Sequence, residues 1–507
     1  MKASEFTHVF PQEDAIGLYH SLTIEVAYVN KKAFDLFLRF RNPHTVESVV
    51  SHYPSRYRNR VFHAIQQLER LGFLVPAEMS EKSLIENFKA KMQTSLHITN
   101  MYLITSDGCN FRCRYCAILK NYPKSYRPSN MSWEIAKKAI DFFIQNTAHI
   151  KGEKKELVFY GGEPLLNPNV VVKAIKRSRE IERKGLLGGP LEIVVITNGA
   201  LITPELAQHF AENSVKVIVS IDGPKEIHDE MRIDTKGRGT YEEVVKGYWN
   251  CKRAGCGVGI SLTVATHNVE RLEEIIDFFI RELRPVNCGI SSLHQLLSKD
   301  AEYESISPSV SHVSKRLIEV YEKARKQGLY MEHIARIVRP FVEKRRRSRD
   351  CPACGGLILV APDGEIGLCA NLLGTRQFFT GNISQKPDLT KDATFNEWNK
   401  RSQFNIETCY KCPAISLCGG GCPYEAFVRY GNIWRAGDER ICSHSKIVLE
   451  WLVSDLWQKA KARFKDENRF TVLKPSLKDR KLQYGKIRVS EAKLPLQSWS
   501  QYGEKHH

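Results

Sequence analysis

The strongest constraint on this chain is an alternation. Between about residues 100 and 295, six short apolar runs (MYLITSDG, ELVFYGG, LEIVVITNG, VKVIVSIDG, GVGISLTVA and NCGISSLH) alternate with helical stretches such as WEIAKKAIDFFIQN and LEEIIDFFIREL. Runs this short and this continuously apolar suit strands buried on both faces, and the helical segments between them supply the crossovers of a parallel sheet. Most of the runs end in glycine or a polar motif, at the strand end where parallel α/β folds place their chemistry. Six units rather than eight predict an α/β fold with an open, partial (β/α)6 barrel over 96–305.

The 507 residues exceed one ordinary domain. Residues 1–95 read as a separate unit. LTIEVAYV alternates like a strand, KKAFDLFLRF reads as a helix, and NPHTVESVVSHYP as a second short helix opened near Thr45. RNRVFHAIQQLERLGFLV carries Val61, Ile65, Leu68 and Leu71 at helical spacing, stops at Gly72 and returns as a strand. One strand, three helices and a closing strand outline a winged-helix-like domain, and a helical linker follows it. Residues 306–350 read as a helical bridge, 351–450 as a cysteine-rich domain and 451–507 as a basic tail. The formal charge of +18 comes partly from KRRRSR (Lys344 to Arg349) and partly from that tail. Two readings stay open: a solvated helix face with a basic tail, or attraction to an acidic polymer or peptide. No run is long and apolar enough to span a membrane, and the N-terminus lacks the apolar core of a signal peptide, so a cytoplasmic location is expected.

Fourteen cysteines in such a chain suit metal ligation better than disulfides. None precedes Cys109, and eight lie between Cys351 and Cys442. Cys109, Cys113 and Cys116 sit together on the loop CNFRCRYC. Three thiolates on one loop can hold three corners of a [4Fe–4S] cluster and leave one iron without a protein ligand. A closed zinc site would want a fourth ligand nearby, and no Cys or His occurs from Ile118 to Thr147. An incidental thiol cluster is the bland alternative.

C-x3-C-x-aromatic-C, with Tyr115 before the last cysteine, resembles the signature of the radical S-adenosylmethionine (radical SAM) enzymes. The resemblance implies that the open iron binds the amino and carboxylate groups of SAM and that cleavage of SAM yields a 5′-deoxyadenosyl radical, cofactor chemistry that the protein orients and shields. It assigns Gly161, Gly162 and Glu163 of GGEP to the amino group of SAM. Thr197 and Asn198 of VITNG, and Ser220 and Asp222 of VSIDGP, become candidates for the ribose hydroxyls or the methionine end, although each type is also common in caps and turns. Arg232 is a candidate partner for the SAM carboxylate, since a guanidinium can grip it bidentately. Asn268 is a further candidate for the same pocket. His228 and Asp229 are left unassigned.

The second array runs Cys354, Gly364, Cys369, Cys409-x2-Cys412-x5-Cys418-x3-Cys422 and Cys442, with Cys351 just upstream. It resembles the SPASM domain, which houses auxiliary [4Fe–4S] clusters in radical SAM maturases. By that resemblance Cys351, Cys354, Cys369 and Cys422 hold one auxiliary cluster, and Cys409, Cys412, Cys418 and Cys442 the other. Without Cys351, the first would keep an open iron for substrate. Zinc in ribbon-like C-x2-C sites is the alternative. Cys251, Cys256 and Cys288 fall outside both arrays and read as buried thiols.

Enzymes of this group act on ribosomal peptides or protein side chains. The N-terminal unit resembles the precursor-recognition domains of peptide maturases, where a leader peptide adds a strand to an open sheet edge. The alternatives are a structural or DNA-binding winged helix. Sulfatase maturases carry an Asp directly after the cysteine matched here by Cys369. This chain has Ala370, which accepts no proton, and that argues against formylglycine formation by their route. The expectation is a cytoplasmic maturase of a ribosomal precursor peptide, forming a thioether or carbon–carbon crosslink with an external donor such as flavodoxin or ferredoxin. No catalytic acid or base is located. A modifier of a folded sulfatase or quinoprotein subunit is the competing enzyme, and an iron–sulfur DNA-binding regulator the competing class.

Overall fold

The computed structural model describes residues 1–92, 95–464 and 470–484. The six expected strands form as β1 (Asn100–Ser106), β2 (Lys155–Gly161), β3 (Leu191–Thr197), β4 (Lys216–Ser220), β5 (Val258–Val264) and β6 (Cys288–Ser292). Each pairs in parallel with the next, in sequence order. Crossover helices pack on the outer face. Trp133–Thr147, for example, is capped by the Ser132 side chain and buries Ala136, Ala139, Ile140 and Phe143.

The sheet does not stop at six. Two strands from the cysteine-rich region, β7 (Leu357–Val360) and β8 (Ile366–Gly367), extend it to eight. β7 runs parallel to β1, with Leu357 opposite Asn100, and β8 returns antiparallel. Among the described residues β6 and β8 are the outer strands, so the sheet stays open. The expected boundary at residue 351 therefore cuts through a continuous sheet, and the cysteine-rich region is anchored at the strand that precedes Cys109.

The N-terminal unit contains the expected helices, Lys31–Arg39, Val46–Ser51 and Ser55–Arg70. They pack on a three-stranded antiparallel meander, Thr7–Pro11, Ile16–His20 and Glu25–Val29, of which the sequence pattern revealed only the last. Leu18, Ala27, Phe37, Val61, Ile65, Leu68 and Phe73 form its core. The closing strand, Leu74–Val75, pairs with Lys2–Ala3 and ties the two ends of the unit together.

Two expectations about charge are corrected. KRRRSR is neither a solvated helix face nor an open patch: it is a seam. Arg346 donates to the Leu22 carbonyl at 3.2 Å, Arg347 pairs with Asp350 at 2.9 Å, and Arg349 donates to the Asn399 carbonyl at 2.6 Å and that of Met92 at 3.2 Å. The described residues of the expected tail, up to 464 and from 470 to 484, are also structural. Helix Glu439–Ala460 buries Leu452, Val453, Leu456 and Trp457, and Tyr28 donates to the Val453 carbonyl at 2.6 Å. Val472–Leu473 adds a fourth strand to the meander beside Glu25–Val29. Arg480, 2% exposed, donates to the carbonyls of Phe341 and Ile24. The remainder of the tail lies outside the described residues. No described helix is long and apolar enough to cross a membrane.

Candidate functional site

The CNFRCRYC loop leaves the end of β1 and is laced to the segment after β4. Arg112 N–H donates to the Ile233 carbonyl at 2.7 Å and Arg114 N–H to that of Met231 at 2.9 Å. Asp107, fully buried, clamps the loop entrance by accepting from Tyr126 Oη and Ser129 N–H, both at 2.5 Å. Cys109, Cys113 and Cys116 lie within electrostatic reach of one another. Burial pushes Cys113 up to about 12 and also raises the other two thiols. Burial of this kind favours the thiol over the thiolate, and a strong local cation such as iron would reverse that preference.

GGEP follows β2 and supports that loop from beneath. Gly161 has φ +132°, and a β-carbon at Gly162 would stand 2.1 Å from the Gly108 carbonyl oxygen, so only glycine permits this approach. Glu163 N–H donates to the same carbonyl at 2.8 Å. The Glu163 carboxylate, 1% exposed, accepts from Thr197 Oγ1 and Asn198 N–H, each at 2.7 Å, and from Leu165 N–H at 3.0 Å. Burial pushes this carboxyl up to about 7, against the pull of those donors. Glu163 thus ties the β2 loop to the β3 loop. Asn198 continues the chain of contacts, donating to Asn110 Oδ1 at 2.8 Å and facing Cys109 Sγ at 3.9 Å.

Asp222, after β4, is the hub of a second group. Arg232 donates to both of its oxygens, at 2.9 and 3.2 Å, Thr263 N–H donates at 3.0 Å, and Tyr115 Oη donates to Oδ2. Although burial opposes the charge, Arg232 holds the Asp222 carboxyl below its usual range. Arg232 also lies 5.3 Å from the centre of the Tyr115 ring. The bidentate grip expected for a SAM carboxylate is therefore made on Asp222. Ser220 ends β4, half-buried beside Ser261 of β5. Asn268, fully buried, accepts from Ala265 N–H and donates to the Thr263 carbonyl, both at 2.9 Å, and so holds the turn after β5.

The eight later cysteines fall into two groups. Cys351 lies within electrostatic reach of Cys354, Cys369 and Cys422. Cys409, Cys412, Cys418 and Cys442 line one cavity of about 500 Å³. Cys418 and Cys422 belong to different groups, and the turn between them uses three consecutive left-handed glycines, Gly419 to Gly421, with φ of 75°, 88° and 69°. Arg401, buried, braces that turn by donating to the carbonyls of Gly420 and Gly421 at 2.9 and 2.8 Å. Among the described residues no three His, Cys, Asp or Glu side chains converge as the ligands of a single ion would. A cubane takes each thiolate on a different iron and so needs no such convergence on one point. Cys251, Cys256 and Cys288 are buried in the barrel core.

A cavity of about 540 Å³ opens between the two cysteine regions. One wall is the segment after β6, with Leu293, His294 and Tyr303; the other is Glu425, Asp438 and Arg440 of the cysteine-rich region. Leu293 and Tyr303 pack in one apolar group with Tyr115 and Met231 beside Cys113. Asp438 accepts from Cys422 N–H at 3.2 Å. No motif marked His294, Glu425 or Arg440, although NCGISSLH did end its strand on a polar residue.

Residues 103–279 match the family model of the Radical SAM superfamily. Over 470 residues the chain is 21% identical to the radical SAM cyclopropyl synthase TigE of Paramaledivibacter caminithermalis, covering 89% of this chain and 95% of that protein. It is 26% identical over 337 residues to the cysteine-type anaerobic sulfatase-maturating enzyme of Clostridium perfringens strain 13, covering 62% and 86% respectively. The structure of Streptococcus suis SuiB bound to its precursor peptide SuiA aligns with a TM-score of 0.51 at 14% identity, over 87% of this chain and 99% of that one. At that identity the likeness is one of fold.

Proposed function

From the premise that this chain is a radical SAM enzyme, we propose that it matures a ribosomally made precursor peptide by closing a crosslink, a thioether in the first instance. Cys109, Cys113 and Cys116 hold the SAM-binding [4Fe–4S] cluster, and the two later cysteine groups hold auxiliary [4Fe–4S] clusters. When bound, the first cluster and SAM together supply a 5′-deoxyadenosyl radical. The chain's own residues do the rest. Gly162 lets the cluster loop seat, Glu163 fixes the loops after β2 and β3, and the Asp222–Arg232–Tyr115 group walls the space next to Cys113.

The observation that carries this reading is the cavity between the two cysteine regions. Its floor touches the residues around Cys113, and its far wall touches Cys422 through Asp438. A core residue held there sits between the radical source and an electron acceptor. The N-terminal unit supplies recognition. Val472–Leu473 covers one edge of its sheet and Thr7–Pro11 is the other outer strand, where a leader segment adds a further strand. Ala370 packs with the apolar group of Ile104, Leu359 and Leu373, which leaves no proton acceptor at the sulfatase-maturase position.

The test is anaerobic incubation of the reconstituted enzyme with SAM, reductant and the small peptide encoded beside its gene, read by mass spectrometry. Loss of two hydrogens from that peptide, abolished when its leader is deleted, supports the reading. Unchanged peptide mass together with modification of a folded protein substrate would sink it.

A further inference from the structure

We propose that His294 is the proton acceptor of the crosslinking step, held in place by Glu425 and Arg440 at the mouth of the cavity between the two cysteine regions. This rests on the peptide-maturase reading and fills the role left vacant by Ala370.

The geometry is that of an oriented base. His294 Nδ1 lies 2.8 Å from Glu425 Oε1. Glu425, 2% exposed, also accepts from Gln295 N–H at 3.2 Å and pairs with Arg440 at 3.2 Å. Arg440 is fixed in turn by Asp438, through two contacts of 3.2 Å. The imidazole stands edge-on to Tyr424, 5.8 Å between ring centres, so it is pinned from the side as well. A carboxylate on Nδ1 selects the tautomer in which Nδ1 carries hydrogen and Nε2 presents a lone pair. The ring lines the cavity and its side chain is 35% exposed, with Nδ1 taken up by Glu425.

The surrounding chain holds this base at the seam. Tyr303 Oη donates to the His294 carbonyl at 2.7 Å, and Tyr424 Oη donates to the Gln295 carbonyl at 2.7 Å. Asn121, on the turn after Cys116, accepts from Leu297 N–H at 2.9 Å and donates to Tyr424 Oη at 2.8 Å. Lys120 pairs with Asp300 at 2.8 Å. The 294–300 segment is therefore strapped both to the loop carrying Cys116 and to the helix that begins after Cys422.

With a bound cluster and SAM supplying the acceptor of one peptide hydrogen atom, and an auxiliary cluster the acceptor of one electron, closure of a carbon–sulfur bond would release the S–H proton, and His294 Nε2 would take it. One C–H and one S–H bond break, one C–S bond forms, and two hydrogens leave the peptide.

His294→Ala should lower product formation from the neighbouring-gene peptide by about 10²-fold, and added imidazole should restore it in proportion to its concentration. Iron content and peptide affinity should match the wild type. Glu425→Gln should lower kcat by about tenfold or more while leaving KM. Wild-type turnover by His294→Ala, or a loss that imidazole does not restore in a fully loaded, peptide-binding variant, overturns the assignment. Independently of any variant's folding, diethyl pyrocarbonate should label His294 in the wild-type holoenzyme, and saturating peptide should protect it. Labelling indifferent to peptide also overturns the assignment. Failure of the wild-type enzyme to modify the peptide at all is distinct, because it removes the maturase reading itself.

Discussion

Replacing Gly162 with alanine should cost the enzyme its SAM-binding cluster and spare the auxiliary ones. The new β-carbon would stand 2.1 Å from the Gly108 carbonyl oxygen and 2.8 Å from that of Asp107, both backbone atoms that no rotamer change can withdraw. Carbon and oxygen sit comfortably at about 3.3–3.6 Å, so the segment 107–109 must retreat by more than an ångström. Glu163 N–H, now 2.8 Å from the Gly108 carbonyl, loses its partner in the process. Cys109 adjoins Gly108 and moves with it, whereas metal–ligand distances tolerate displacements of only about 0.2 Å. Overpacking of this kind costs about 1–3 kcal/mol, which a stability of about 5–15 kcal/mol absorbs, so the chain should still fold. After anaerobic reconstitution, Gly162→Ala should carry about four fewer iron atoms per chain and form no 5′-deoxyadenosine. Gly257→Ala, whose β-carbon meets nothing within 4 Å, is the control. Full iron content with unimpaired SAM cleavage in Gly162→Ala would refute the claim that the Gly162–Gly108 contact positions Cys109.

Further outcomes follow from the same contacts. Cys113→Ala should abolish SAM cleavage yet keep the auxiliary iron, whereas Cys412→Ala should keep the SAM cluster and lose product; full turnover by the latter would exclude an essential second auxiliary cluster. Arg480→Ala removes charge-assisted bonds to the Phe341 and Ile24 carbonyls and should cost about 1.5–3 kcal/mol; an unchanged urea midpoint would count against a structural tail. Glu163 has its carboxyl raised by burial from 4.5 to about 7. The folded state therefore holds that proton more tightly, and the metal-free chain should lose stability as pH rises from about 4.5 to about 7, by about 3 kcal/mol in all. Glu163→Gln should flatten that dependence, and equal pH slopes in the two proteins would contradict it.

What the sequence revealed and what it hid have separate physical causes. Strands β1 to β6 were legible because a strand buried on both faces leaves a continuous apolar run, and these six alternate with helical segments. LILV of β7 is a run of the same kind, but it lies among cysteines and pairs with β1 across about half of the chain, so its place in the sheet depends on folding and not on pattern. Val472–Leu473 is too short to carry any period. KRRRSR misled because composition counts charges and not the carbonyls that receive them; here Leu22, Met92 and Asn399 supply those carbonyls. Arg232 and Asp222 were read as separate ligand candidates, yet ten residues apart they close on each other in a buried pair. His294 and Glu425 are separated by 131 residues and share no motif, so only the folded chain shows them as partners.

The most direct measurement is isotopic. If the cavity beside Cys113 presents a peptide C–H bond to the adenosyl radical, a neighbouring-gene peptide deuterated at its core residues should pass deuterium into the 5′-deoxyadenosine formed, with label and crosslinked product rising together. Unlabelled 5′-deoxyadenosine formed alongside modified peptide would contradict hydrogen abstraction from those core residues.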